Sequence, residues 1–182
     1  RRVLFRSEEL SVSDRNNIGY QYTDCPLYWI SVIYLNFAEA KAEMGSLTQD
    51  DLNNSINKLQ ARAGLPAMTT TPDADPANNM GVSNLIWEIR RCRRCELIMD
   101  NWYRYWDLIR WHQLDKLDST KYPNTMLGAN VSNVPDCEEA TKNGYIDASD
   151  AQIRTYEAKH YFYPIPTTQL TLNKNMKQNP GW

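Results

Sequence analysis

Apolar positions first become periodic just after Pro26. Ile30, Ile33, Tyr34, Phe37, Ala38 and Lys41 recur at spacings of three and four, which predicts a helix with one apolar stripe. Pro26 suits the first helical turn, with Thr23 or Asp24 as its cap, and Gly45 supplies the left-handed residue that ends it. A second helix should start at once. Thr48 with Asp51 has the spacing of a capping box, and Leu52, Ile56, Leu59 and Ala63 share one face before Gly64 and Pro66 stop the run. Helices joined by so short a connection pack antiparallel. The expected inward residues are Ile30, Ile33, Phe37, Leu52, Ile56 and Leu59.

This hairpin, Leu27 to Gly64, has about the length of a tetratricopeptide-type repeat, and one copy is visible. Residues 67–82 are rich in Thr, Pro, Asn and Asp and read as a loop. Ser83 or Asn84 can cap a third helix, which runs through four arginines to Met99. A break is expected at Asp100-Asn101, because Asn tolerates the left-handed conformation. A fourth helix, Trp102 to Gln113, is apolar on more than one side and reads as buried. Residues 115–160 look mostly irregular. Tyr161 to Pro166 must be extended around its prolines, and a short helical turn, Thr167 to Leu170, precedes a polar tail. The expected fold class is mostly α, with tetratricopeptide-like helical hairpins and long irregular loops.

Composition adds exclusions. The 182 residues carry 20 Lys plus Arg against 22 Asp plus Glu, a formal charge of -2, which lacks the basic excess of a nucleic-acid binder. The uncharged stretch Cys25–Ala38 is too short and too polar to span a bilayer, and no apolar run follows Arg1-Arg2 as in a secretory signal. Arg1 to Ser7 reads as the translation of a common sequencing adapter, so residues 1–7 are expected to be non-native and residues 8–182 to start inside a longer gene. Without those three arginines the balance is 17 bases against 22 acids, or -5.

Candidate chemistry is sparse. Arg90, Arg91, Arg93 and Arg94, with Glu88, Glu96 and Asp107, could hold an anion, but ion pairing that fixes the helix is the expected role. Trp102 and Trp106 share a helix face, as do Tyr105 and Ile109. They could stack sugars, yet aromatic residues at helical spacing predict core, and Trp102, Trp106 and Trp111 are assigned there. Cys92 and Cys95 have C-x-x-C spacing, but Cys25, Cys137, His112 and His160 offer no second paired spacing for zinc. Two small buried thiols are expected, since a disulfide would be strained mid-helix. Asp147, Ser149 and Asp150 could touch calcium but lack the Gly and terminal Glu of an EF-hand loop. With two histidines, no G-x-S-x-G and no H-E-x-x-H, no catalytic residues, metal ligands or cofactor are expected.

Four blocks resemble the SusD/RagB family of outer-membrane nutrient-binding proteins. They are Tyr34 to Ala40; Asn53 to Pro66 with Ile56-Asn57-Lys58-Leu59; Ile89 to Leu97 with Arg104 to Trp111; and Tyr161 to Pro166 followed by Leu172-Asn173 and Gln178 to Trp182. The likeness covers roughly residues 20–182 and is similar to the family's C-terminal portion. Cys92 stands where the family usually has Glu, and Asn101 where it usually has Gly. The resemblance implies a non-catalytic lipoprotein on the outer-membrane surface. It implies pairing with a SusC-type TonB-dependent transporter barrel and binding of an oligosaccharide or, in some members, a peptide. Membrane attachment would come from an N-terminal lipid absent from this sequence, so Cys25 would not be the lipidated residue. Ligand contacts in the family come mainly from regions upstream, so no ligand-binding residue is assigned. The rival reading is a tetratricopeptide-type protein–protein adaptor, which would carry further 34-residue repeats upstream and no export signal.

Overall fold

The structure is a computed structural model that describes residues 28–98, 103–134, 141–147 and 152–182. The adapter-like residues 1–7, the polar segment 8–24, the proposed helix start at Thr23, Asp24 and Pro26, and the break at Asp100-Asn101 lie outside the described residues. The chain divides into two compact units, Arg1–Asp100 and Asn101–Trp182.

The first unit contains helices α1 (Ile30–Glu43), α2 (Gln49–Asn53), α3 (Ile56–Ala63) and α4 (Asn84–Glu96). α1 ends as expected. Gly45 takes φ +67°, its N–H donates to the Ala42 carbonyl, and the Ser46 N–H donates to the Lys41 carbonyl. The Thr48 hydroxyl accepts from the Asp51 N–H at 3.1 Å, and the Asp51 carboxylate accepts from the Thr48 N–H at 2.9 Å, completing the capping box. The predicted second helix is interrupted at Asn54-Ser55. Ser55 is buried, and its hydroxyl donates to the Asp51 carbonyl at 2.5 Å, an alternative to continued helical bonding.

α1 packs on both α3 and α4, and the core forms around Leu35, Leu52, Ile56 and Ile89, with Val32, Ala38 and Leu59 beside them. Leu52, Ile56 and Leu59 point inward as predicted, but the predicted stripe of α1 does not. Ile30, Ile33 and Phe37 are 63%, 54% and 42% exposed, and the buried residues are Ser31, Val32, Leu35, Ala38 and Glu39. α1 is apolar on two sides, and its own periodicity could not say which side α3 and α4 would cover. The loop after α3 is pinned by one side chain. Asn57 accepts from the Met68 N–H at 2.7 Å and donates to the Met68 carbonyl at 3.1 Å, as a neighbouring strand would. Ser83 caps α4 by accepting from the Ile86 N–H.

The second unit opens with α5 (Tyr103–Arg110). His112 adopts φ +52° and closes it: the Gln113 N–H reaches the Leu108 carbonyl at 2.8 Å and the His112 N–H reaches that of Ile109 at 3.0 Å. Asp107, Leu108 and Trp111 are buried. Trp106 is 53% exposed, which corrects its assignment to the core, while Trp111 fulfils it and Trp102 lies outside the described residues. The reason is geometric. The buried side of α5 runs through 107, 108 and 111, leaving 106 and 110 on the other side.

Short 3-10 helices at Leu114–Leu117, Pro123–Met126 and Ala158–Tyr161 separate irregular segments. A small antiparallel sheet, unanticipated within 115–160, has the order β1 (Leu127–Asn130), β3 (Tyr145–Asp147), β2 (Thr141–Lys142). β2 and β3 pair with Thr141 opposite Ile146 and Lys142 opposite Tyr145. Asn143 and Gly144, both at positive φ, make the two-residue turn between them. A final helix, α6 (Thr167–Leu172), is two residues longer than predicted. Among the described residues no helix is long and apolar enough to cross a membrane.

Candidate functional site

The C-terminal sequence folds into a clasp. The extended run after Tyr161 cannot form a helix through its two prolines, so its backbone groups need other partners. The tail supplies them. Gln178 accepts from the Ile165 N–H at 2.8 Å and donates to the Ile165 carbonyl at 3.0 Å. Asn179 donates to the Tyr163 carbonyl at 2.7 Å. The Trp182 indole N–H lies 2.9 Å from the Phe162 carbonyl and 3.2 Å from that of Lys159. Each polar residue of the terminal block thus has a specific backbone target.

The clasp shapes a groove of about 400 Å³. Tyr105, Tyr156, His160, Phe162, Tyr163 and Trp182 supply rings to its wall, and Leu114, Leu117 and Pro164 supply aliphatic surface. Phe162 and Tyr163 are 56% and 68% exposed. His160 has its ring 5.9 Å from that of Trp182, and its Nδ1 accepts from the Glu157 N–H, which places the proton of the neutral ring on Nε2. The Tyr105 and Tyr163 hydroxyls lie 3.3 Å apart, and this contact raises the Tyr105 pKa. Burial, then the Tyr161 hydroxyl, pushes Tyr156 up to about 12, so it stays a neutral phenol.

Asp118 fixes one wall. Its carboxylate accepts from the Thr120 hydroxyl, from the Thr120 N–H at 2.9 Å and from the Tyr156 N–H at 3.1 Å. The Ser119 N–H also donates to the Arg154 carbonyl at 2.9 Å, and the Ser119 hydroxyl accepts from the Arg154 N–H at 2.9 Å. The Arg154-Thr155-Tyr156 wall is thereby tied to the segment after the Leu114–Leu117 helix. The same hydrogen bonds, led by Thr120, lower the Asp118 pKa to about 2. Chemically, the groove offers aromatic faces for stacking, with phenol, imidazole and guanidinium groups for hydrogen bonds. Among its described lining residues none is a carboxylate.

The other sequence candidates fall elsewhere. Three of the four arginines of α4 are engaged in ion pairs and hydrogen bonds, and Arg94 is exposed. Arg90 lies 3.4 Å from the buried Glu39 and 3.2 Å from Glu43, Arg93 donates to Asn36 at 2.8 Å, and Arg91 pairs with Glu88 at 2.6 Å. Glu96 receives Arg62 at 2.6 Å, and Asp107 pairs within its own helix with Arg110 at 2.9 Å. Sequence reasoning named Glu88, Glu96 and Asp107 but missed Glu39, Glu43 and Asn36. Their signal is the three- and four-residue spacing of Asn36, Glu39 and Glu43 along one side of α1.

The thiols correct an expectation. Cys92 and Cys95 are free, and only Cys92 is sheltered, with burial pushing its pKa up to about 12; Cys95 is exposed. The buried stripe of α4 runs through Ile89, Arg90, Arg93 and Leu97, so Cys92 sits at its edge and Cys95 beyond it. Among the described residues no three His, Cys, Asp or Glu side chains gather as a metal site. His112 packs its ring 5.0 Å from Tyr161, and Asp147 lies on β3. Cys25, Cys137, Ser149 and Asp150 lie outside the described residues.

Comparison with known proteins agrees with the residue blocks. A crystal structure of a SusD-like protein from Bacteroides fragilis superposes with a TM-score of 0.56 at 24% identity, over 84% of this chain and 25% of that one. The chain therefore spans about a quarter of the length of that relative, and the likeness shows a shared fold. No curated protein matches the chain. A model of the SusD family matches residues 5–182, and on that match the chain belongs to the SusD family.

Proposed function

We propose that the chain is part of a non-catalytic nutrient-binding protein at the outer-membrane surface. It would bind an oligosaccharide and pass it to a SusC-type TonB-dependent transporter barrel. The observation that carries this reading is the SusD family match over residues 5–182. That match also favours it over a tetratricopeptide-type adaptor, with which it shares only the helical-hairpin scaffold. A peptide ligand is the second choice within the family.

Within the described residues, the aromatic groove has the surface chemistry that a sugar needs. A pyranose presents a CH-rich face to an aromatic ring and hydroxyls at its edge, and the groove pairs rings with Arg154, His160 and tyrosine hydroxyls. Any contribution from this chain to the ligand site is assigned to that groove.

Calorimetry of the protein with a panel of soluble oligosaccharides tests the reading, with chromatography of the sugar afterwards. Binding with the sugar recovered intact is expected. Release of shorter products would make the protein an enzyme, and binding confined to peptides would change the ligand class. Tyr163→Ala and Phe162→Ala remove exposed rings and should weaken sugar binding about tenfold or more if the groove takes part, since stacked aromatic contacts are worth about 1–3 kcal/mol. Unchanged affinity in both would place the ligand elsewhere.

A further inference from the structure

The groove of the second unit is rich in hydrogen-bond donors and poor in strong acceptors. Among its described lining residues there is no carboxylate and no side-chain amide, and Arg154 carries the one full charge. A guanidinium can only donate. His160 uses Nδ1 to accept from the Glu157 N–H at 3.0 Å, which leaves its Nε2–H as a donor. The Tyr105 and Tyr163 hydroxyls share one hydrogen bond at 3.3 Å, so one phenolic proton of the pair is left for a ligand. Arg154 is fixed at its backbone and open at its head. The Ser119 hydroxyl accepts from its N–H at 2.9 Å, the Ser119 N–H donates to its carbonyl at 2.9 Å, and the side chain is exposed. Arg62, Arg90, Arg91 and Arg110 each pair with a carboxylate. Among the described residues the Arg154 guanidinium has no such partner. The nearby acids are engaged: Asp118 accepts from Thr120 and the Tyr156 N–H, and Glu157 pairs with Lys159 at 3.1 Å. Asp115 acts on the Tyr156 phenol, and Lys121, 5.9 Å from the same ring, opposes it.

We propose that the groove selects an acidic sugar, with the negative group on Arg154 and a pyranose face on the exposed rings of Phe162 and Tyr163. The inference rests on the sugar-binding reading and narrows its ligand class. A neutral sugar hydroxyl both donates and accepts, so a matching site supplies strong acceptors as well as donors. An acidic sugar brings its own strong acceptors, and a wall of donors satisfies it. The guanidinium fork can place two parallel bonds on one anionic group, which gives orientation as well as attraction. Because the Arg154 backbone is already fixed by Ser119, little main-chain ordering is left for the ligand to impose. The charge is a ring carboxylate or an ester sulfate, which present the same anionic oxygens.

Calorimetry of the 182-residue protein with matched probes provides the test. Uronate trisaccharides of galacto, gluco and manno configuration are each compared with their carboxyl-reduced forms, and a 6-sulfated galactose disaccharide with its unsulfated form. At least one acidic probe should bind about tenfold more tightly than its neutral counterpart, the advantage of a charge-assisted bond over a neutral one. That advantage should shrink as salt rises. The pair that shows it distinguishes carboxylate from sulfate. Arg154→Gln should abolish the preference at unchanged Tm, because the exposed head has no partner in the fold, and Arg154→Lys should keep part of it. A preference that survives Arg154→Gln would overturn the proposal, since the charge would then be read elsewhere. So would equal or tighter binding of every neutral form; if Tyr163→Ala weakens that binding, the sugar reading of the groove still stands. Failure of every probe to bind would overturn the sugar reading together with this one.

Discussion

The two units are held together by different means. In residues 28–98, α1, α3 and α4 share a core in which Leu35, Leu52, Ile56 and Ile89 are each 0% exposed. In residues 103–182 the buried apolar residues are fewer, Leu108, Trp111 and Leu114 among them, and order comes from side chains that bond to backbone. Gln178, Asn179 and Trp182 close on the Phe162–Ile165 segment, and Asp118 closes on Tyr156. The first unit depends on many small, non-directional contacts, so its information lies in a period. The second depends on a few directional bonds, so its information lies in particular residues at particular positions.

The comparison can be broken by mutation. The largest effects should come from the cores. Ile89→Ala should cost about 2–5 kcal/mol and Trp111→Ala about 3–5 kcal/mol in denaturant unfolding, since both leave cavities. Trp106→Ala, one turn earlier on the exposed side of α5, should stay within about 0.5 kcal/mol. A large loss at Trp106 would restore its core assignment.

The polar clasps come next, and they sharpen the contrast. Asn57→Ala strands the N–H of buried Met68, whose carbonyl keeps the Gln49 amide at 3.0 Å, and should cost about 1–3 kcal/mol. Gln178→Ala removes the same pair of bonds from Ile165 in a half-buried setting, where water can replace them, and should cost about 1 kcal/mol. Equal losses would show that the tail clasp is drier than its exposure indicates.

Acid should weaken the Asp118 clasp of the second unit. Folding lowers the Asp118 pKa from 3.8 to about 2, so the stability this carboxylate contributes is fully present above about 4 and is lost as pH falls towards 2. Asp118→Asn should remove that part of the acid dependence, read as a smaller drop in Tm between pH 5 and pH 2.5. An unchanged drop would mean that other carboxylates carry it.

The smallest effect is chemical and local to α4. At pH 8 iodoacetamide should modify Cys95 and spare Cys92, because the thiolate is the reactive form and burial holds Cys92 near pKa 12. Equal modification would show that the helix edge opens.

Local rules determined much of this chain from the sequence alone. The cap at Thr48, the stops at Gly45 and Gly64 and the inward set Leu52, Ile56 and Leu59 depend on residues within a turn or two of one another. The Asn143-Gly144 turn is just as local, yet residues 115–160 read as irregular and the turn and its strands were missed. Four sequence blocks were enough to point to the family. Which side of α1 is buried was decided only in three dimensions, because both sides are apolar and the choice depends on where α3 and α4 arrive. The partners of Arg90 and Arg93 were hidden for the same reason: Glu43 and Asn36 lie 47 and 57 residues away. The groove, too, needed the tertiary structure. Its walls come from residues 105 to 182, and bonds to distant backbone, those of Asp118, Gln178, Asn179 and Trp182 among them, bring those rings together. Periodicity reports which residues avoid water; it carries no information about which distant backbone group a polar side chain will meet.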